Sequence, residues 1–198
     1  MNRRTRTLVT LGVLASIAVL LSLVNWPLFP SAPHLRFETA DVPVLIAGFA
    51  FGPGAGLMVT FIMAVLMAAI TGLDGAVGAL MHFLSTGSLV LAASFVYRRY
   101  HTLGGAIAGL IAGTIAQTLV MPLVNLAIIP LIYGFSRQQI VAMLPILFAF
   151  NAVKAGLSSI LTFLVYKRVS WLLKGLVRDS EDAGIITARQ CPARQTRR

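Results

Sequence analysis

Lys154, Asn151 and Ser158 are the residues whose types and spacing point most directly to chemistry. Lys154 is the one charged side chain between Gln138 and Tyr166, in a stretch otherwise apolar enough to cross a membrane. A charge at that depth costs on the order of 2.5–3.5 kcal/mol on insertion scales. At about 100° per residue, the three side chains fall within roughly 60° of arc on one helix face. A cation flanked by an amide and a hydroxyl inside a membrane suits the holding of a polar solute. Snorkelling or an ion pair is the alternative reading. Lys154 lies more than a turn from either end of its span, and no other helix carries an acid in its interior. A reactive amine, working as a Schiff base or proton carrier, would need a second catalytic group that the apolar segments do not offer.

Two further regions carry polarity that a membrane protein must account for. The segment after the first apolar stretch, NWPLFPSAPHLRFETADVP (Asn25–Pro43), holds Arg36, Phe37, Glu38 and Asp41 just before a helix. Asp41 is placed to cap that helix, with Pro43 at an early helical position. Capping does not explain Phe37 or Glu38, and a structured loop above an intramembrane pocket could serve as its lid. The second region is scattered: His82, Ser85, Thr86 and Ser88, then Gln117, Thr118 and Asn125. Serine and threonine can satisfy helix carbonyls, whereas an amide such as Asn125 has four hydrogen-bonding sites to fill. His82, Thr86 and Asn125 are therefore the candidates from this region for ligand contact.

The elements that must position these residues follow from composition. Of 198 residues, 58% are hydrophobic and 11% charged, with mean hydropathy +0.87. Soluble domains carry about 25% charged residues, so the chain is read as an all-α integral membrane protein. The net charge of +10 reflects basic residues beside apolar runs, which topology explains better than nucleic acid does. The lone Cys191 excludes a disulfide framework, and His34, His82 and His101 show no metal-ligand spacing. No glycine-rich phosphate loop is present, so no ATP site is expected. The basic, apolar N-terminus resembles a signal peptide, but its long core and the bulky NWPLFP that follows favour a retained first helix.

Six helices are expected: Leu8–Trp26, a short second helix near Pro43–Phe51, a third from Pro53 to Ile70, a fourth over Gly75–Tyr97, a fifth within Thr102–Ser136 with an irregular end at Pro122 and Pro130, and a sixth within Gln138–Trp171, starting near Pro145. With both termini in the cytoplasm, cytoplasmic segments hold thirteen of the sixteen basic residues, as the positive-inside rule requires of an even helix count. Residues 1–7 are then a cytoplasmic start, 8–173 the transmembrane domain, and 174–198 a basic, disordered cytoplasmic tail that can touch anionic lipid. Small residues recur at four-residue spacing (Gly48, Gly52, Gly56; Gly105, Gly109, Gly113; Gly12 with Ser16; Ala18 with Ser22), a pattern of close helix packing or subunit docking.

Four stretches, in order, resemble the substrate-binding S component of an energy-coupling factor (ECF) vitamin transporter of the riboflavin-specific type. LRFETADVP (Leu35–Pro43) with LIAGFAFGP is similar to the family's first loop and second helix. MHFLSTG (Met81–Gly87) resembles its fourth helix, the spaced Met, Asn, Pro and Tyr of Met121–Tyr133 its fifth, and FNAVK (Phe150–Lys154) with LVYKRVS its sixth. The resemblance implies a flavin near the outer side of the bundle, under the first loop, with Asn125, Asn151 and Lys154 as contacts. It implies riboflavin as cargo rather than a resident cofactor, a location in the cell membrane, and three partner subunits: a transmembrane coupling subunit and two ATPases. Docking is expected on Ala15, Ala18 and Ser22. The chain departs from the pattern at His82, where relatives carry asparagine, at Ser158, another usual asparagine, and near Met63 and Leu66, where a lysine is common.

Overall fold

A computed structural model of the chain describes residues 3–28, 35–72 and 75–189. His34 and Cys191 lie outside them. Six helices and one small hairpin appear in chain order: α1 (Arg3–Leu23), β1 (Asn25–Pro27), β2 (Arg36–Glu38), α2 (Asp41–Phe51), α3 (Pro53–Thr71), α4 (Gly75–Arg99), α5 (Leu103–Tyr133) and α6 (Arg137–Arg189). Five helices are long and apolar enough to cross a membrane, and α2 is not. At about 1.5 Å per residue, its 11 residues reach only about half of a ~30 Å hydrocarbon core.

That short helix is the centre of the bundle. Nine of its eleven residues are buried, Asp41 through Phe49. Val44, Leu45 and Ala47 meet Val59 and Met63 of α3 and Leu89, Val90 and Ala93 of α4, all fully buried. The chain leaves α2 through Gly52, whose φ of +93° favours glycine, and Pro53 opens α3. The reversal brings two glycines together: a Cβ on Gly56 would lie 3.0 Å from Gly48 Cα.

Helix α5 packs against α4 along a row of glycines. A Cβ at Gly109 would sit 2.6 Å from Ala93 O, and one at Gly113 would sit 2.6 Å from Leu89 O. The spacing of Gly105, Gly109 and Gly113 thus serves internal packing. Helix α6 runs parallel to α4 and antiparallel to α5. Tyr97 and Tyr166 hydroxyls meet at 2.7 Å, and Phe49 stacks 4.6 Å from Tyr97. Thr114 and Ser159 hydroxyls meet at 2.9 Å.

Several boundaries differ from the sequence expectation. Helix α1 starts at Arg3 and stops at Leu23, because Asn25–Pro27 pair with Arg36–Glu38 instead of extending it. Helix α5 passes through Pro122 and Pro130 without an irregular end; neighbouring helices can satisfy carbonyls that proline frees. Helix α6 begins at Arg137, passes Pro145, and continues to Arg189, into the segment read as an aperiodic tail. No proline interrupts it before Pro192, and residues 190–198 lie outside the described ones. Ala15, Ala18 and Ser22 are buried inside the bundle, so this structure does not present them for docking. The outward face of α1 carries Val9, Gly12, Val13, Ser16, Ile17 and Leu20 instead.

The glycine row gives a direct test. Gly109→Val forces a branched side chain against the α4 backbone and is expected to cost on the order of 1–3 kcal/mol. Gly12→Val, with nothing within 4 Å of its Cβ, is the control. Thermal melts of the two purified variants should separate clearly; equal melts would contradict the packing described.

Candidate ligand site

The hairpin sets the position of the first functional side chain. β1 and β2 pair antiparallel with Asn25 opposite Glu38, Trp26 opposite Phe37 and Pro27 opposite Arg36. Asn25 Nδ2 donates to Ser22 O at 3.2 Å, anchoring the hairpin to the end of α1. Its Oδ1 accepts from Arg36 Nη1 at 2.9 Å. Successive strand residues face opposite ways. Phe37 therefore packs its ring 5.7 Å from Trp26, while Glu38 turns into the bundle.

Inside, two acids bridge the same two helices at successive levels. Glu38 Oε1 accepts from His82 Nδ1 at 3.0 Å and from Lys154 Nζ at 3.2 Å. One level deeper, Asp41 Oδ1 accepts from Thr86 Oγ1 at 2.7 Å, and its Oδ2 accepts from Ser158 Oγ at 2.9 Å. His82 and Thr86 are four apart on α4, as Lys154 and Ser158 are on α6, so both pairs rise by about 6 Å. His82 Nε2 also lies 3.5 Å from Thr86 Oγ1. The result is a ladder with carboxylates as rungs and α4 and α6 as rails. All six side chains are buried, from Asp41 at 0% to His82 at 8% exposed, so each charge must find its partner here.

Two sequence expectations are overturned. Lys154 has an acidic partner, Glu38, which comes from the hairpin and not from a membrane helix. Asp41 is not a cap: Ala40 holds that position with no side-chain cap bond, and Asp41 spends both oxygens on α4 and α6. Phe37 is buried against Trp26, so the hairpin explains it without a ligand. Thr86, His82, Glu38, Ser158 and Lys154 are brought into one cluster, with Asp41 added. The missed signal was a pair of acids three residues apart, Glu38 and Asp41, set against donor pairs four apart, His82 with Thr86 and Lys154 with Ser158.

The remaining candidates are Asn151, three residues before Lys154 on α6, and Asn125 on α5. Asn151 Nδ2 donates to Leu147 O at 2.8 Å, and its buried Oδ1 has no hydrogen-bond partner. Asn125 Nδ2 donates to Met121 O at 2.7 Å. Each amide thus turns an N–H back onto its own helix, and Asn151 keeps a buried carbonyl oxygen for something else. Lys154 has three N–H donors, one of which goes to Glu38. The site therefore offers amide acceptors and a cationic donor within a largely apolar bundle. Such an arrangement can orient a flat, partly polar solute. Among the described residues, no three His, Cys, Asp or Glu side chains group to hold a metal.

Comparison with known proteins agrees with this architecture. The sequence pattern of the family described as "ECF transporter, substrate-specific component" matches residues 6–166. The chain is 30% identical over 179 residues to the riboflavin transporter RibU of Staphylococcus aureus (strain TCH60), covering 87% of this chain and 94% of that protein. It is 30% identical over 129 residues to the riboflavin transporter FmnP of Bacillus subtilis (strain 168), covering 64% and 67%. A solved structure described as "Structure and mechanism of the S component of a bacterial ECF transporter" superposes with a TM-score of 0.75 at 30% identity, over 87% of this chain and 99% of that one.

The upper rung yields two expected outcomes. Burial pushes the Glu38 carboxyl up, but His82 and then Lys154 beside it pull it down from 4.5 to about 2. A carboxylate held below its unfolded value stabilises the fold above that value and loses the effect as pH falls through the folded one. The melting difference between the wild type and Glu38→Gln should thus be full above about pH 4.5 and shrink toward pH 2; a difference independent of pH would contradict the charged rung. Lys154→Met leaves Glu38 with His82 alone and should lower stability by about 3–5 kcal/mol. Adding Glu38→Gln should recover part of that loss, with a coupling of about 1–3 kcal/mol, and additive losses would argue against the pair.

Proposed function

Since the chain belongs to the family of substrate-specific components of ECF transporters, we propose that it captures riboflavin within the cell membrane and hands it to a separate energy-coupling module for ATP-driven uptake. It is a multi-pass membrane protein and a transporter subunit, not an enzyme. The relatives named as riboflavin transporters support the choice of ligand. The observation that carries the site is Asn151 Oδ1, a buried acceptor without a partner, one helical turn from a lysine with N–H donors to spare.

Riboflavin joins a flat, largely apolar ring with polar edges to a hydroxylated ribityl chain. The apolar bundle suits the ring, while Lys154, Asn151 and Asn125 suit the edges and hydroxyls, with His82 and Thr86 completing the α4 side. Binding in this account is non-covalent throughout.

The hairpin serves as lid. Glu38 fastens it to α4 and α6 through the upper rung, while the deeper Asp41 rung keeps α2 in place when the hairpin lifts. With both termini cytoplasmic, as charge asymmetry favours, the hairpin and site lie toward the outer face. ATP hydrolysis falls to partners: two ATPases and a transmembrane coupling subunit. In this structure α1 turns Gly12 and Ser16 outward, which makes that face the better docking surface than Ala15, Ala18 and Ser22.

Purification from cells grown with riboflavin tests this reading. The preparation should be yellow, with quenched flavin emission. A colourless protein that fails to quench added riboflavin would overturn it.

A further inference from the structure

The row of α5 residues that faces α4 changes character half-way. At intervals of four it reads Gly109, Gly113, Gln117, and about 40° of drift per step keeps these three on one face. The two glycines let the helices touch: Gly109 meets Ala93 and Gly113 meets Leu89. The next step pairs Gln117 with Ser85, Nε2 donating to Ser85 Oγ at 2.8 Å. A glycine contact closes the gap between helices, whereas a glutamine there holds them apart. Gln117 is therefore the first side chain above the sealed inner half.

Its depth matches that of the ladder. Ser85 precedes Thr86, which donates to Asp41. On the other side, Thr114 Oγ1 approaches Ala155 O at 3.5 Å and Ser159 Oγ at 2.9 Å. One turn further up α5, in an antiparallel pair, lies the level of Lys154. Gln117 is 0% exposed, and its Oε1 has no hydrogen-bond partner. An unmet acceptor in a dry interior costs about 1–3 kcal/mol, so a donor that arrives with the ligand would relieve it.

We propose that Gln117 is the floor contact of the site, its Oε1 accepting the ring N3–H of the bound flavin. The proposal rests on the riboflavin reading above. Oxidised riboflavin has a single ring N–H, at N3, flanked by two carbonyls. An acceptor from Gln117 and a donor from Lys154, at a similar level on α5 and α6, complement that edge. The hydroxylated chain then lies toward the mouth, near Asn125 and the hairpin. Gln117 reads the ligand's identity at the bottom of the pocket.

The test compares riboflavin with N3-methylriboflavin by quenching of flavin emission, using full-length purified wild type and Gln117→Leu. Wild type should bind the methylated flavin at least about tenfold more weakly, because the buried acceptor is left unpaired. Gln117→Leu should bind riboflavin more weakly and distinguish the two flavins by less than about threefold. Its ligand-free melting temperature should match or exceed that of wild type. Equal binding of both flavins by wild type overturns the assignment, as does full discrimination surviving in Gln117→Leu. If Gln117→Leu does not fold, Gln117→Met carries the same comparison; failure of both to fold makes the residue a structural strut and also overturns it. A wild type that binds neither flavin overturns the riboflavin reading itself, and is distinguishable by that.

Discussion

Two carboxylates buried among membrane helices govern this structure. An ionised acid without partners in such surroundings is too costly to keep. Glu38 and Asp41 must therefore be met from both sides, by His82 and Thr86 of α4 and by Lys154 and Ser158 of α6. That requirement fixes the parallel register of the two helices and pulls the start of α2 into the bundle. It also ties the outer hairpin to the interior. The hairpin cannot lift without separating Glu38 from a lysine and a histidine.

The two halves of the bundle solve different packing problems. The half away from the hairpin is closely packed. Glycines bring α5 onto the α4 backbone, Gly48 and Gly56 bring α2 onto α3, and Phe49, Tyr97 and Tyr166 close the space between α2, α4 and α6. The half beside the hairpin carries the polar groups: the two carboxylate rungs, the Asn151 amide oxygen and the Gln117 amide.

Much of this was legible in the chain. The lone lysine, the break at Gly52–Pro53 and the small-residue rows each report a local constraint, and local constraints survive in sequence. Six helices followed from apolar run lengths, the glycine–proline break within one of them and the placement of basic residues. The partner of Lys154 did not follow, because Glu38 lies in a segment that reads as an outer loop. Only the strand pairing, which sets Trp26 against Phe37, turns Glu38 inward. Asp41 was misread for a similar reason. An acid just before a proline at a helix start has the signature of a cap, and long-range donors on α4 and α6 overrode it. The buried side of α1 was also hidden, since small residues mark a close contact without saying which surface makes it.

A density map of the protein purified with riboflavin tests the central claim most directly. The account predicts the flavin ring between α4, α5 and α6 beneath the hairpin, in contact with Asn151 and Lys154, with Asp41 still held by Thr86 and Ser158. Flavin density elsewhere on the protein, or a site in which Lys154 and Asn151 touch no part of the ligand, would contradict it.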